Sequence, residues 1–284
     1  MYEKVGQVIG GLRLEMRADL SEGERRIVSA ALYPFADTVS RKSTDAAWAN
    51  DAIQRLILPT IQDRAVPAIR ISPPQVRARE TTPEGLASFY TQAVALISGG
   101  DGAIGSGALI SSDGLILTAA HVVRAEPIQV SFPRSGNARK YVAKLVFVHD
   151  THDVALLRLA DYRSDRWFEV ALSENATAGE PVIAIGNPSI GGGRTAPGAI
   201  SSGIVAKPYD PSRSDGLIDL VADIAVASGS SGGPLVSRRS GKIVGVVTAV
   251  VSPSVSTDFA TSGFWAVAAP SGELGKWLGL TYGP

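Results

Sequence analysis

The feature that most constrains the fold is a series of short apolar runs that occupies the chain from about Leu86 onward. Each run is bounded by Gly, Ser, Asp, Asn or Pro, which are the residues that turns favour. No helical segment separates the runs, although parallel strands need long and usually helical crossovers. The pattern therefore predicts an antiparallel barrel or sandwich. The runs are QAVALIS, GALISS, GLILTAA, IQVSF, VAKLVFV, VALLRL, PVIAIG, GIVAK and KIVGVVTAVV.

The rest of the chain has a different texture. Residues 1–65 are predicted to be mainly helical, with one helix capped by Ser21 and another over 45–58. Before Ser21, a helical face and a strand-like alternation fit equally well. Residues 66–85 contain a Pro pair and an Arg-rich run, which predicts a linker. A short helix beginning at Ser271 is expected to close the chain.

Composition excludes several classes of protein. The chain has no cysteine, so it cannot be a disulfide scaffold, hold a thiolate zinc site or use a cysteine nucleophile. Its 27 basic and 27 acidic side chains balance, which argues against a nucleic-acid partner. No acidic cluster has metal-ligand spacing, and we expect no metal and no cofactor. We expect no membrane span. Because no secretory signal begins the sequence, the expected location is cytoplasmic, or periplasmic or secreted if the sequence is trimmed.

Three local motifs carry side chains suited to nucleophilic catalysis. His121 follows the run GLILTAA, Asp153 directly precedes VALLRL, and Ser231 lies in the glycine-rich segment GSSGGP. A serine hydroxyl is a weak nucleophile and needs an adjacent base. His121 can take its proton, and Asp153 can orient the imidazole and stabilise the imidazolium. We therefore predict that these three residues form a catalytic triad.

The glycines beside Ser231 suit the same chemistry. The segment Gly229, Ser230 and Ser231 is predicted to form an oxyanion hole, in which the N–H groups of Gly229 and Ser231 converge on one point. Gly232 and Gly233 are expected to leave room for substrate and to let the chain turn into the next strand.

TAAH, then DVALL, then GSSGGP, in this order, resembles the chymotrypsin-like (trypsin-fold) serine proteases. Among these, the chain is most similar to the bacterial HtrA or Deg-type proteases, through GSGALISSDGLILTAAHVV, PVIAIGNP, ISSGIVA and ADIAVASGSSGGPLV, although we identify no PDZ segment. The resemblance implies an all-β protease domain over residues 86–284, made of two six-stranded antiparallel barrels and a C-terminal helix. It also implies a serine endopeptidase that acts on proteins or peptides, and an oligomer is possible.

Competing residues lie close to Asp153. Asp150 is an alternative carboxylate, but only Asp153 starts the apolar strand directly. His149 and His152 are expected to be solvated loop residues. The position before the nucleophile holds an Asp in digestive trypsins, where it pairs with a newly cut N-terminus. Ser230 stands there in this chain, so activation through that salt bridge is not expected, and control by ordering of the nucleophile loop is implied instead.

The resemblance also suggests which residues contact substrate. The specificity pocket is implied to involve Ile224, Ala225 and Val226 before the nucleophile, and Val247, Thr248 and Ala249 after it. None is charged, which favours small or aliphatic residues before the scissile bond. The strand edge at Val246–Val250 offers backbone pairing to an extended peptide.

Other functions stay open at this point. The fold could carry a catalytically silent binding or adaptor protein. The helices of residues 1–65 could recruit a protein partner, as in an intracellular effector protease. The competing role is protein quality control in an envelope compartment, which the HtrA resemblance implies.

Overall fold

The structure is a computed structural model that describes residues 4–9, 12–17, 66–75, 82–135, 137–149, 152–212, 219–251 and 265–283. The chain divides into two compact units, Met1–Ala65 and Val66–Pro284. In the first unit an antiparallel hairpin joins β1 (Lys4–Ile9) to β2 (Leu12–Arg17). The strand alternative therefore holds for these residues, and a helical assignment there is wrong. The two helices predicted later in this unit lie outside the described residues.

The second unit contains the two predicted barrels, each a closed antiparallel sheet of six strands. In the first barrel the strand order is β4-β5-β6-β9-β8-β7. Its strands carry large aliphatic side chains that are fully buried, among them Ile97, Leu117 and Leu156. The strands are β4 (Val94–Ser98), β5 (Ile104–Leu109), β6 (Leu115–Thr118), β7 (Ile128–Phe132), β8 (Asn137–His149) and β9 (Val154–Leu159).

The second barrel has the strand order β10-β13-β14-β17-β16-β15. Its own buried cluster is mostly alanine and valine, including Val205, Ala222 and Ala268. A small hairpin of β11 and β12 leaves it between β10 and β13. The strands are β10 (Pro181–Gly186), β11 (Ser189–Gly191), β12 (Arg194–Thr195), β13 (Ala199–Lys207), β14 (Leu220–Asp223), β15 (Pro234–Ser237), β16 (Ile243–Val251) and β17 (Trp265–Pro270).

Two helices flank the barrels. Helix α1 (Pro83–Tyr90) is capped by the Thr82 hydroxyl, and the sequence analysis had not predicted it. Helix α2 (Ser271–Leu278) forms near the C-terminal end of the unit, as predicted, but a short strand follows it. Its buried face contains Leu274 and Trp277. The Ser271 hydroxyl does not cap it and instead donates to the carbonyl of Glu174. No described helix has the length and apolar character needed to cross a membrane.

Part of the predicted linker belongs to the barrel unit. Residues 69–71 form β3 (Ile69–Ile71), which pairs in parallel with the last strand, β18 (Leu280–Tyr282). Ser72 accepts a hydrogen bond from the indole of Trp167 (3.0 Å). The boundary between units therefore falls after Ala65 rather than near Gly85, because backbone pairing holds this proline-containing stretch against the C-terminal strand.

A test of this junction uses Gly279, whose φ is +66°. A Cβ at this position would overlap the carbonyl oxygen of Pro67. We expect Gly279→Ala to lower the free energy of unfolding by roughly 2–3 kcal/mol, because backbone strain and a steric clash add. Gly179→Ala is the matched control, since its φ is +76° but nothing lies within 4 Å of the added Cβ. Equal losses for the two variants in urea melts would contradict the described packing.

Candidate active site

The register of β6 against β9 brings His121 and Asp153 together. Thr118, the last residue of β6, lies opposite Ala155, near the start of β9. The chain leaving β6 and the chain entering β9 therefore meet at one end of the first barrel. His121 lies on a short 3-10 helix that follows β6, and Asp153 immediately precedes β9.

His121 and Asp153 make a two-point contact. The Nδ1 atom of His121 lies 2.6 Å from Oδ2 of Asp153. The backbone N–H of His121 donates to Oδ1 of the same carboxylate (2.8 Å). Asp153 has a positive φ of +51°, which is uncommon outside glycine. Its carbonyl accepts from the N–H of Ala120 (3.0 Å), and this bond helps to hold the unusual backbone in place.

Ser231 lies in the turn before β15, next to the first barrel. Its carbonyl oxygen accepts a hydrogen bond from the N–H of Ser106 in β5 (2.7 Å). A Cβ placed on Gly105 would lie 3.0 Å from that carbonyl oxygen and 2.5 Å from Cγ2 of Val122, the neighbour of His121. The segments that carry His121 and Ser231 therefore meet across Gly105. No hydrogen bond joins the two side chains within the described residues, and contacts of this kind are often long before substrate binds.

Two backbone N–H groups of this turn, those of Gly229 and Ser231, donate no hydrogen bond to any described residue. Gly229 has a φ of +91°. The Ser228 carbonyl accepts from the N–H of Ser189 (2.7 Å). Because the carbonyl and N–H of a trans peptide point in opposite directions, this bond turns the Gly229 N–H away from β11. Both groups are thus available to an incoming carbonyl oxygen.

The residues beside these two donors, Ser230, Gly232 and Gly233, contact the protein's own backbone. The N–H of Ser230, which was not one of the two predicted donors, donates to the carbonyl of Ala227 (2.9 Å). A Cβ on Gly232 would overlap the Ser106 carbonyl oxygen, and one on Gly233 would lie 2.6 Å from the carbonyl of Ile185. These two glycines make room for the protein's own backbone rather than for substrate.

Sequence reasoning missed the buried pair Ser106 and Asn187, which supports the Ser231 turn. The Ser106 hydroxyl donates to the carbonyl of Gly229 (2.7 Å) and accepts from the backbone N–H of Asn187 (2.8 Å). The Asn187 amide donates to the carbonyl of Ala95 (2.8 Å) in β4. Both side chains are fully buried. A polar residue inside an otherwise apolar run, as in GSGALI and AIGNP, was the signal that could have identified them.

The two histidines beside Asp153 are packed rather than solvated, which corrects the prediction. The ring of His152 stacks on Trp277 of α2, with ring centroids 3.6 Å apart. The ring of His149 lies 4.9 Å from that of His152. Burial lowers the pKa of His152 to about 4, with smaller contributions from the charges of His149 and Lys276. Asp150 lies outside the described residues.

The six predicted pocket residues separate into two groups. Ala225, Val226 and Val247 line one cavity of about 360 Å³, whose lining includes Ser230 but neither Ser231 nor His121. Three others do not line it: Ile224 is buried, the Thr248 hydroxyl donates to the carbonyl of Val267 (3.3 Å), and Ala249 is exposed.

One edge of strand β16 is open beyond Val247. Strand β15 pairs with β16 only as far as Pro234 opposite Val246. The edge of β16 beyond Val247 therefore has no described strand partner on that side.

Within the described residues, no group of three or more His, Asp or Glu side chains is placed to hold a metal ion.

Comparisons with known proteins identify the family of this chain. Residues 105–246, half of the chain, match the family model described as the trypsin-like peptidase domain. The chain belongs to the trypsin-like peptidase family. A probable periplasmic serine endoprotease, DegP-like, of Rhizobium meliloti is 36% identical over 153 residues, which cover 53% of this chain and 28% of that protein.

Two further relatives extend the match. The magnetosome formation protease MamE of Paramagnetospirillum magneticum is 31% identical over 195 residues, covering 67% of this chain and 25% of that protein. The chain thus spans only about a quarter of the length of these curated relatives. The crystal structure of a serine endoprotease from Yersinia pestis matches with a TM-score of 0.53 and 25% identity, over 69% of this chain and 64% of that one.

The stacked His152 predicts acid sensitivity of this peptidase fold. A histidine held neutral in the folded state, with a pKa of about 4 against 6.5 when unfolded, takes up its proton more readily in the unfolded chain. Its contribution to stability is therefore lost as the pH falls from about 6.5 to about 4. His152→Phe keeps a flat ring on Trp277 but removes the titrating group. Between pH 7 and pH 5, we expect its melting temperature to fall by less than that of wild type. Equal losses in thermal melts would refute this role.

The buried Ser106 hydroxyl is expected to affect the reactivity of Ser231 in addition to the stability of the fold. Ser106→Ala leaves the Gly229 carbonyl and the Asn187 N–H unpaired, and each such group costs about 1–3 kcal/mol. We expect the rate of Ser231 labelling by a fluorophosphonate to fall at least tenfold, because the Gly229 peptide is no longer fixed.

The matched control is Ser111→Ala. Ser111 is also buried, and its hydroxyl donates to Asp113 and accepts from the N–H of Leu115 (2.9 Å), away from the site. It should lower the melting temperature without slowing labelling. Similar labelling rates in the two variants would mean that Ser106 is only structural.

Proposed function

We propose that this chain is a serine endopeptidase in which His121, Asp153 and Ser231 act as a catalytic triad. The observation that carries the proposal is the 2.6 Å contact between His121 and Asp153, at the end of the first barrel where the Ser231 turn arrives. The relatives named as serine endoproteases support the same activity. The alternative is a binding protein that keeps the fold without the reaction.

In the proposed mechanism, Nε2 of His121 removes the hydroxyl proton of Ser231 as its Oγ attacks the scissile carbonyl carbon. Asp153 stays ionised and accepts a hydrogen bond from the Nδ1–H of His121, which fixes the tautomer and stabilises the imidazolium. The carbonyl oxygen becomes an oxyanion and accepts from the N–H groups of Gly229 and Ser231, which are otherwise unused. The imidazolium then protonates the leaving amine as the scissile C–N bond breaks, which leaves the acyl group bound to Oγ of Ser231. Water, activated by the same histidine, hydrolyses the acyl-enzyme and restores Ser231.

We further propose that the residue before the scissile bond is small or aliphatic. Among the predicted pocket residues, Ala225, Val226 and Val247 line an uncharged cavity, and no Asp or Glu lies in its lining. The substrate backbone on this side of the bond would pair with the open edge of β16 beyond Val247. A hydrophobic pocket separates side chains by about 1–3 kcal/mol per methylene, so the expected preference is graded.

The decisive experiment compares Ser231→Ala with wild type on a casein substrate. If the triad acts as a unit, the variant should lose activity by about 10⁶-fold. Ser112→Ala, which changes an exposed serine in a turn, is the matched control and should leave the rate unchanged. His121→Ala should lose activity to a similar extent.

A fluorophosphonate probe separates the two candidate functions. Labelling of wild type but not of Ser231→Ala supports the peptidase. A wild-type chain that is well folded, yet neither labelled nor active, would overturn the peptidase assignment and leave the binding-protein alternative.

A further inference from the structure

A groove extends from the Ser231 turn on the side away from β16. It consists of two adjoining cavities of about 240 and 220 Å³, which share Ile104, Gly193 and Thr195 in their linings. Ile104 at its centre is 47% exposed, an unusual state for a large apolar side chain. One wall is the β11–β12 hairpin, and the other is the edge of the first barrel.

The groove begins at the predicted oxyanion site. The lining of the nearer cavity includes Ser228 and Gly229 but no residue of β16. A peptide whose carbonyl oxygen rests on the N–H groups of Gly229 and Ser231 must leave the site in two directions. If the part before the scissile bond follows β16, the part after it enters this groove. The groove therefore faces the leaving-group half of the substrate.

The charged side chains that line this groove are all basic. Arg194 lines the nearer cavity and Lys140 lines the farther one. Neither lining contains an acidic side chain, and the remaining polar groups are uncharged, among them Gln129 and Ser131. Both cationic side chains are exposed, and neither forms a salt bridge with a described residue. The nearby Asp101 lies outside both linings, and its carboxylate accepts from the N–H of Ala103 (3.0 Å).

We propose that this groove selects substrates with an acidic side chain within the first three or four residues after the scissile bond, and that Arg194 is its main specificity determinant. This inference rests on the proposed peptidase function. A strand advances about 3.3 Å per residue, so three or four residues span about 10–13 Å of the groove that starts at Gly229. Arg194 can bind the carboxylate in a bidentate manner. Lys140 extends the positive field along the same path, and the exposed Ile104 packs against the intervening residue.

The interaction is made by the half of the substrate that leaves as the amine product. It therefore contributes to the specificity constant kcat/KM. An exposed pair of this type contributes modestly, and we expect about a fivefold preference for Glu over the isosteric Gln. Salt should weaken the preference, since the Debye length shortens from about 10 Å at 0.1 M to about 3 Å at 1 M ionic strength.

The test uses the full chain and three peptides that share one sequence before the scissile bond, with Val at the last position. After the bond they carry Ala followed by two Glu, two Gln or two Lys residues. The proteins are wild type, Arg194→Glu and the matched control Arg239→Glu, which reverses an exposed charge in the β15–β16 turn. The measured quantity is kcat/KM for each peptide at 0.1 M and 1 M salt.

Wild type and Arg239→Glu should prefer the Glu peptide about fivefold at low salt, and Arg194→Glu should prefer the Lys peptide. Equal rates for the three peptides, or an unchanged preference in Arg194→Glu, would overturn the proposal.

A binding experiment keeps this proposal distinct from the peptidase assignment. Ser231→Ala and the double variant Ser231→Ala/Arg194→Glu are titrated with fluorescent forms of the Glu and Gln peptides, and anisotropy gives the Kd values. Tighter binding of the Glu peptide that disappears in the double variant supports the groove even if no peptide is hydrolysed. Equal Kd values for the Glu and Gln peptides with Ser231→Ala count against the groove, whatever the outcome for hydrolysis.

Discussion

The site depends on one short strand, because β5 of the first barrel holds the turn that carries Ser231. Through its backbone N–H, Ser106 binds the carbonyl of Ser231, and through its hydroxyl it binds the carbonyl of Gly229. Since His121 and Asp153 are fixed on the first barrel and Ser231 precedes a strand of the second, these two bonds link the parts of the proposed triad. A fully buried hydrogen bond of this kind is costly to leave unmade, which favours a single arrangement of the turn.

The same constraint explains why the turn is so rich in small residues. A Cβ on Gly229 would lie too close to the carbonyl oxygen of Asn187, just after β10. Cβ atoms on Gly232 and Gly233 would in the same way collide with the first barrel and with β10. The glycines of this turn therefore allow close packing between fixed strands, and their number does not indicate a flexible loop. In a chain without cysteine, close packing and backbone pairing provide what a disulfide would otherwise contribute.

Much of this could be predicted from the sequence. The apolar runs predicted strands because period and turn residues are local properties, and the motifs around His121, Asp153 and Ser231 identified the family. The predictions that failed concern contacts between residues that are far apart in the sequence. The strand Ile69–Ile71 pairs with Leu280–Tyr282, which is far away in the sequence. No local pattern in this proline-containing stretch predicts a parallel strand partner. The stacking of His152 on Trp277 likewise depends on the folded geometry. The roles assigned to the triad remain predictions.

The parallel pairing of β3 with β18 has a topological consequence. It places the first and last strands of the barrel unit side by side, so that the chain enters at one end of this short pairing and leaves at the other, only a few residues' length away. Closely spaced termini are the condition under which a domain tolerates circular permutation or insertion into another protein. The barrel unit can thus be regarded as nearly a closed ring of chain, and an added segment at either end would emerge from the same region of its surface.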